Sequence, residues 1–224
     1  MLVSKNALLD VRNQNLGMLL SKDLLSTLRR DILKGKYPRG YKLTEQRICS
    51  NYNVSRTPVR EAFYKLEAEG LIETVPNKGA FIIGVSAQDI LDMFELRKLY
   101  EVQAVRWAIE RITDDELDAL DETFEFMKFY TQKNDAEKML NINMNFHQII
   151  YMASHNTILR NILSSYLEYL KHTKNGPALA DDYLPALLSE HENIYNAFKT
   201  KDALAGESAA SKHLDNSFER YYNI

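Results

Sequence analysis

Apolar positions recur at helical spacing through most of the chain, and the breaks in that pattern mark its organisation. In SKDLLSTLRRDIL, Leu24, Leu25, Leu28, Ile32 and Leu33 fall on one helical face. Ser21 supplies a cap at its start and Gly35 ends it. The stretch KYPRGYKL reads as a turn, because Pro38 and Gly40 both break regular structure. Thr44 then starts a short helix carrying Ile48, which breaks over Asn51 to Asn53. A second short helix opens near Ser55 to Pro58. Ser55 or Thr57 can cap it, and Pro58 is tolerated in the first turn, where an amide hydrogen has no helical partner. Val59, Ala62, Phe63 and Leu66 line its apolar face, and Gly70 closes it. In LIETVPNKGAFII, two apolar β-forming runs flank Pro76-Asn77-Lys78-Gly79. That is a hairpin with a basic, glycine-bearing tip.

From Ser86 onward the helical period predicts about six helices and no alternating strand pattern. Ser86 caps the first, which carries Ile90, Met93, Phe94 and Leu96 and runs towards Ile112. Thr113 to Glu116 is a capping box opening the second. Asn134 is placed as the cap of the third, which reaches about Ala153. Asn156 opens the fourth, with Ile158, Leu159, Ile162 and Leu163. Lys174 to Pro177 is a break, and the last two helices span roughly 182–200 and 202–222. The expected fold is mainly α: a winged helix-turn-helix followed by an all-α bundle. The expected domains are an N-terminal arm over 1–20, a small basic domain over 21–85 and a helical domain over 86–224.

Composition narrows the class. With 8 Gly and 5 Pro in 224 residues, a long disordered segment or a turn-rich β fold is not expected. The single cysteine, Cys49, excludes an internal disulfide and fits a cytoplasmic protein. No apolar run reaches membrane-spanning length, and the N-terminus lacks the continuous apolar core of a secretion signal.

Charge separates the two parts. Residues 1–85 hold 14 Lys and Arg against 8 Asp and Glu, a net of +6, whereas residues 86–224 carry a net of −9. A basic first third suits a polyanionic partner, because neutralising phosphates releases condensed counterions. Arg56 and Arg60 lie four apart on the second short helix and share a face away from its apolar side. Arginine offers the two-pronged donor that matches guanine in the major groove, while Thr57 and the free amides at a helix start suit a phosphate oxygen. Gly79 lets the hairpin backbone approach a groove closely.

The run SRTPVREAFYKLEAEGLIETVPNKGAFI resembles the signature of GntR-type transcription regulators, and Ile32, Gly35, Pro38, Gly40, Leu43 and Glu45 sit where that family has them. The resemblance covers roughly residues 20–84. It implies a winged helix-turn-helix in which Arg56, Thr57 and Arg60, Thr44 and Gln46, and Lys78 and Gly79 contact double-stranded DNA. Some relatives carry arginine where Gln46 stands.

All 5 histidines lie in the acidic part. His147 follows Asn143 by one helical turn, and His191 and His213 fall on two later helices. Imidazoles converging inside a bundle would suit a divalent transition metal; separated histidines are more commonly surface or hydrogen-bonded core residues. After a GntR-type segment, NMNFHQIIYMASHN, SEHENIYNAF and KHLDNSF resemble the helical FCD domain of the FadR-type subfamily. That resemblance implies a metal, zinc or nickel, held by Asn143, His147, His191 and His213, and a small carboxylate effector that completes its shell. Asn143 departs from the family's aspartate. An amide oxygen can ligate but brings no charge, so the resemblance implies weaker metal binding or a stronger dependence on an anionic effector. The family also places a cavity-facing arginine near Arg97, whose guanidinium fork suits a carboxylate; the alternative is a surface arginine paired with Glu101.

The function that follows is a DNA-binding regulator, a repressor by expectation, acting as a homodimer on a near-palindromic operator and controlled by a small organic acid. Two rivals stand beside it. A metal-dependent hydrolase would use the same histidines, yet no H-E-x-x-H motif is present. An architectural DNA-binding protein would need the helical part only for dimerisation.

Overall fold

The computed structural model describes residues 24–76, 78–173 and 182–222. The 1–20 arm, the Ser21 cap, Asn77 at the hairpin tip and the break at Lys174 to Pro177 lie outside the described residues. The chain divides into two compact units between Ser86 and Ala87. No described helix is long and apolar enough to cross a membrane.

The first unit is built on three short helices and a three-stranded sheet. Helix α1 covers 24–33 and buries Leu24, Leu25, Leu28 and Ile32. Each such side chain removed from water contributes about 1.5–3 kcal/mol. Helix α2 spans Glu45–Tyr52 and helix α3 spans Arg56–Ala68. Thr44 caps α2 by accepting from Arg47 N–H, and Asn53 ends it in the left-handed conformation. Ser55 is the N-cap residue of α3 by position, without a side-chain cap hydrogen bond. Val59, Ala62, Phe63 and Leu66 are buried as their spacing requires.

Strands β1 (Lys42–Leu43), β2 (Ile72–Val75) and β3 (Gly79–Ile82) form an antiparallel sheet in the order β1-β3-β2. The hairpin of β2 and β3 matches the sequence expectation. Strand β1 corrects it, since KYPRGYKL was read as turn throughout. Leu43 is fully buried and Lys42 pairs with Phe81 across the ladder, a long-range pairing that two residues cannot announce by periodicity.

The second unit is an all-α bundle: α4 (Ala87–Arg111), α5 (Asp114–Gln132), α6 (Ala136–Ala153), α7 (Thr157–Thr173), α8 (Tyr183–Thr200) and α9 (Ala203–Tyr222). The Thr113–Glu116 capping box is present with both reciprocal hydrogen bonds. Asn156 Oδ1 accepts from Leu159 N–H at 2.9 Å, capping α7. The cap of α6 is Asp135, whose side chain accepts from Lys138 N–H, and not Asn134. Asn134 instead takes a left-handed φ of 51° to end the preceding turn, a role asparagine fills readily. Helix α4 packs on α6, α7 and α9, and α5 on α6 and α8. Their shared core includes Ala104, Leu120, Met127, Phe146, Leu163 and Phe198. Leu96 and Ile158, both predicted on apolar faces, are exposed at 41% and 74%.

Candidate metal centre and nucleic-acid face

Three helices bring three histidines together in the bundle. His147 on α6, His191 on α8 and His213 on α9 are all buried, and their nearest ligand atoms lie within 4.8 Å of one another. His191 Nδ1–H donates to the Leu187 carbonyl one turn back at 2.8 Å. That leaves Nε2 as a bare lone pair, and it lies 3.2 Å from His147 Nε2. His213 Nδ1–H donates to Glu190 Oε2 at 2.9 Å. His147 Nδ1 sits 2.6 Å from Glu101 Oε1 without hydrogen-bonding geometry, so the carboxylate's proximity orients this ring. Fixing one ring nitrogen on an oxygen selects the tautomer and aims the other nitrogen at a common point.

Burial depresses the basicity of two of these rings. Desolvation pushes His191 well below the ordinary histidine range, helped by the two neighbouring imidazoles. Desolvation also lowers His213 to about 4, against the opposing hydrogen bond to Glu190. Both are therefore neutral at physiological pH, the form that ligates a metal.

Asn143 lines the same cavity one turn before His147. Its Oδ1 is buried with no hydrogen-bond partner among the described residues. A buried acceptor of that kind is costly unless something completes it. Three imidazole nitrogens and one orphaned amide oxygen therefore fit a four-donor divalent cation.

Arg97 corrects the reading of a surface arginine. It is 4% exposed and lines the cavity, while its Nε donates to buried Glu101 Oε2 at 2.7 Å. Tyr151 O–H donates to the same oxygen at 2.7 Å. Burial works to raise Glu101, but Arg97 and His147 outweigh it and hold the carboxyl below its ordinary range. Glu190 is similar: burial raises it, yet hydrogen bonds from Arg220, His213 and Asn216 bring it to about 2. Sequence reasoning missed Glu101, Tyr151, Glu190 and Arg220 as orienting groups. Of these, only Glu101 was in view in the sequence, as the i,i+4 partner of Arg97.

The cavity measures about 270 Å³. Phe94, Leu140, Met144, Leu167 and Leu187 form its apolar wall, and Arg97, Asn143, His147 and His213 its polar end.

In the first unit, Gln46, Arg56, Thr57 and Arg60 are exposed on α2 and α3, and Lys78 is exposed at the hairpin. Thr44 Oγ1 is engaged in capping α2 at 3.3 Å. Arg60 Nε donates to Glu45 Oε1 at 2.7 Å, tying α3 to the start of α2. Gly79 has φ of 100°, and a Cβ there would lie 3.2 Å from the Leu43 carbonyl oxygen, so a side chain is disfavoured twice over.

Residues 20–82 match the bacterial regulatory proteins of the gntR family, and residues 92–216 match the FCD domain. The chain belongs to the GntR family, in its FCD-bearing branch. Members of this family are transcription regulators and not a class of enzyme; its gntR segment implies DNA binding and its FCD domain a small-molecule effector. Relatives of this GntR-family chain include the Nta operon transcriptional regulator of Aminobacter aminovorans, 30% identical over 80% of this chain and 86% of that protein. The galactonate operon transcriptional repressor of Escherichia coli is 26% identical over 90% of this chain and 96% of its own. Among solved structures, E. coli McbR/YncC matches the GntR-family fold with a TM-score of 0.69 at 22% identity, over 91% of this chain and 97% of that one.

Proposed function

We propose that this chain is an effector-controlled repressor that acts in the cytoplasm as a homodimer. Two copies of α3 and the β2–β3 wing would read two half-sites of a near-palindromic operator. Arg56 and Arg60 would contact the major groove and Thr57 a phosphate oxygen, Thr44 and Gln46 would contact the same DNA from α2, and Lys78 and Gly79 would lie along the minor groove. In the helical unit, Asn143, His147, His191 and His213 would hold a zinc or nickel ion. That ion would supply a Lewis-acidic centre for a carboxylate effector, with Arg97 at the same end of the cavity. The operons named for the relatives, galactonate among them, suit a small organic acid as the effector class.

One observation carries this reading: three buried imidazoles with converging nitrogens stand beside an orphaned amide oxygen. Control follows if the effector binds one arrangement of the dimer better than another. The test is elemental mass spectrometry of the purified protein, before and after chelation, alongside operator binding. About one chelatable ion per chain, absent in His147→Ala, supports the site. No ion after supplementation with zinc and with nickel removes it, and leaves the DNA-binding assignment to Arg56→Ala and Arg60→Ala.

A further inference from the structure

Two exposed cations of the first unit, Lys42 on β1 and Arg47 in the first turn of α2, stand beside groups proposed above to meet DNA, and the inference drawn from them rests on that reading. Lys42 pairs with Phe81 in the sheet, and Gly79, two residues before Phe81, lies on the same sheet face. Lys42 Cε stands 3.4 Å from where a Cβ on Gly79 would be. The missing side chain at Gly79 therefore leaves room for the lysine stem to lie against the wing. Arg47 is the neighbour of Gln46, and its amide is the donor that Thr44 accepts in capping α2. Its guanidinium lies over the Tyr41 ring, 5.4 Å from the centroid, and Tyr41 packs on Tyr37 at the same separation. A ring face holds a cation in place without neutralising it. The carboxylates that form ion pairs in this unit hold other cations: Asp31 holds Lys36, Glu45 holds Arg60 and Glu69 holds Arg29. Glu73 shares the sheet row of Lys42 but stands beyond Phe81 on β2, two strand spacings or about 10 Å away. Lys42 and Arg47 thus keep their charge whole and their stems supported. Neither has a strong ion pair to break on meeting a phosphate, and each has less side-chain freedom to lose.

We propose that β1 and the first turn of α2 form a third DNA-contacting element beside α3 and the wing, in which Lys42 and Arg47 each hold a backbone phosphate. The two contacts add affinity and fix the register of the protein on the duplex without reading sequence. Tyr41 is the platform that positions Arg47, and Gly79 gives Lys42 its clearance.

The experiment is fluorescence anisotropy of full-length protein across a salt series, on DNA that wild type selects from a random pool. Lys42→Ala and Arg47→Ala should each lower the salt slope by about 0.9, and the double variant by about 1.8, because each phosphate released returns its counterions. Discrimination against single-base changes should stay as in wild type, whereas damage to the fold would erode it. Lys34→Ala, which removes an exposed charge just beyond α1, should leave the slope unchanged. Wild-type slopes in Lys42→Ala and Arg47→Ala, beside a reduced slope in Lys78→Ala, overturn the β1 element and leave reading by α3 and the wing standing. An equal loss in Lys34→Ala assigns the effect to net charge and overturns the element as well. No DNA selected by wild type, or wild-type binding by an Arg56→Ala, Arg60→Ala double variant, removes the DNA-binding reading itself and the inference with it.

Discussion

Arg97 and Glu101 form a buried ion pair one helical turn apart on α4, 2.7 Å between Nε and Oε2, and the pair is shared with Tyr151 and His147. Truncating one partner of such a pair strands the other charge away from water. Arg97→Ala should therefore destabilise the helical unit by about 3–5 kcal/mol, whatever it does to effector binding. A volume-conserving double replacement, Arg97→Met with Glu101→Leu, should cost clearly less. Urea unfolding followed by circular dichroism decides this. Wild-type stability in Arg97→Ala would mean that the pair is not a desolvated one.

Glu190 holds three groups at once: His213, Asn216 and Arg220. Its carboxylate fixes the His213 tautomer and thereby aims Nε2 inward. In Glu190→Gln an amide of the same shape no longer attracts the ring N–H as a charge would. Zinc affinity should fall by about 10- to 100-fold, the usual cost of losing a carboxylate behind a ligating histidine. Helical content should persist. Unchanged zinc affinity would show that His213 is oriented by packing alone.

Legibility in the sequence followed the range of the forces involved. The helices α3 and α5 were readable because caps and apolar spacing act within a few residues, as at Thr113 and Glu116. Strand β1 was not, because Leu43 earns its place through a sheet partner far along the chain. Asn134 and Asp135 both favour helix starts, and only the left-handed backbone at Asn134 separates their roles. The histidines were legible as a site through family resemblance alone, since they meet by the packing of three helices. The i,i+4 spacing of Arg97 and Glu101 foretold their pairing but not its burial, because α6, which sets Tyr151 and His147 against Glu101, is distant in sequence.

Gly206 marks where α9 meets α4. A Cβ at this position would overlap Ile109 Cδ1 and stand 3.1 Å from Val105 Cγ1. Both neighbours are buried. Alanine gains about 1 kcal/mol over glycine in a helix, but overpacking a filled core costs about 1–3 kcal/mol. We expect Gly206→Ala to be net destabilising by about 1 kcal/mol. Adding Ile109→Val, which deletes the overlapping methyl, should recover most of the loss. Thermal melts of the two variants give the answer. A stabilised Gly206→Ala would mean that the helices separate at little cost.

On the proposed nucleic-acid face, Arg60 is engaged by Glu45 in an exposed ion pair. Exposed pairs of this kind are worth about 0–1 kcal/mol, so DNA can displace the carboxylate cheaply. The carboxylate nevertheless repels phosphate and competes for the guanidinium. Removing it in Glu45→Gln should tighten binding to DNA selected by wild type from a random pool. By contrast, Arg56→Ala should cost about 1–3 kcal/mol on the selected sequence and relax discrimination at one base pair. Lys78→Ala should weaken all sequences alike and lower the salt slope by about 1. Fluorescence anisotropy across a salt series separates these three outcomes. If Glu45→Gln binds more weakly than wild type, the ion pair positions Arg60 for its contact and does not compete with it.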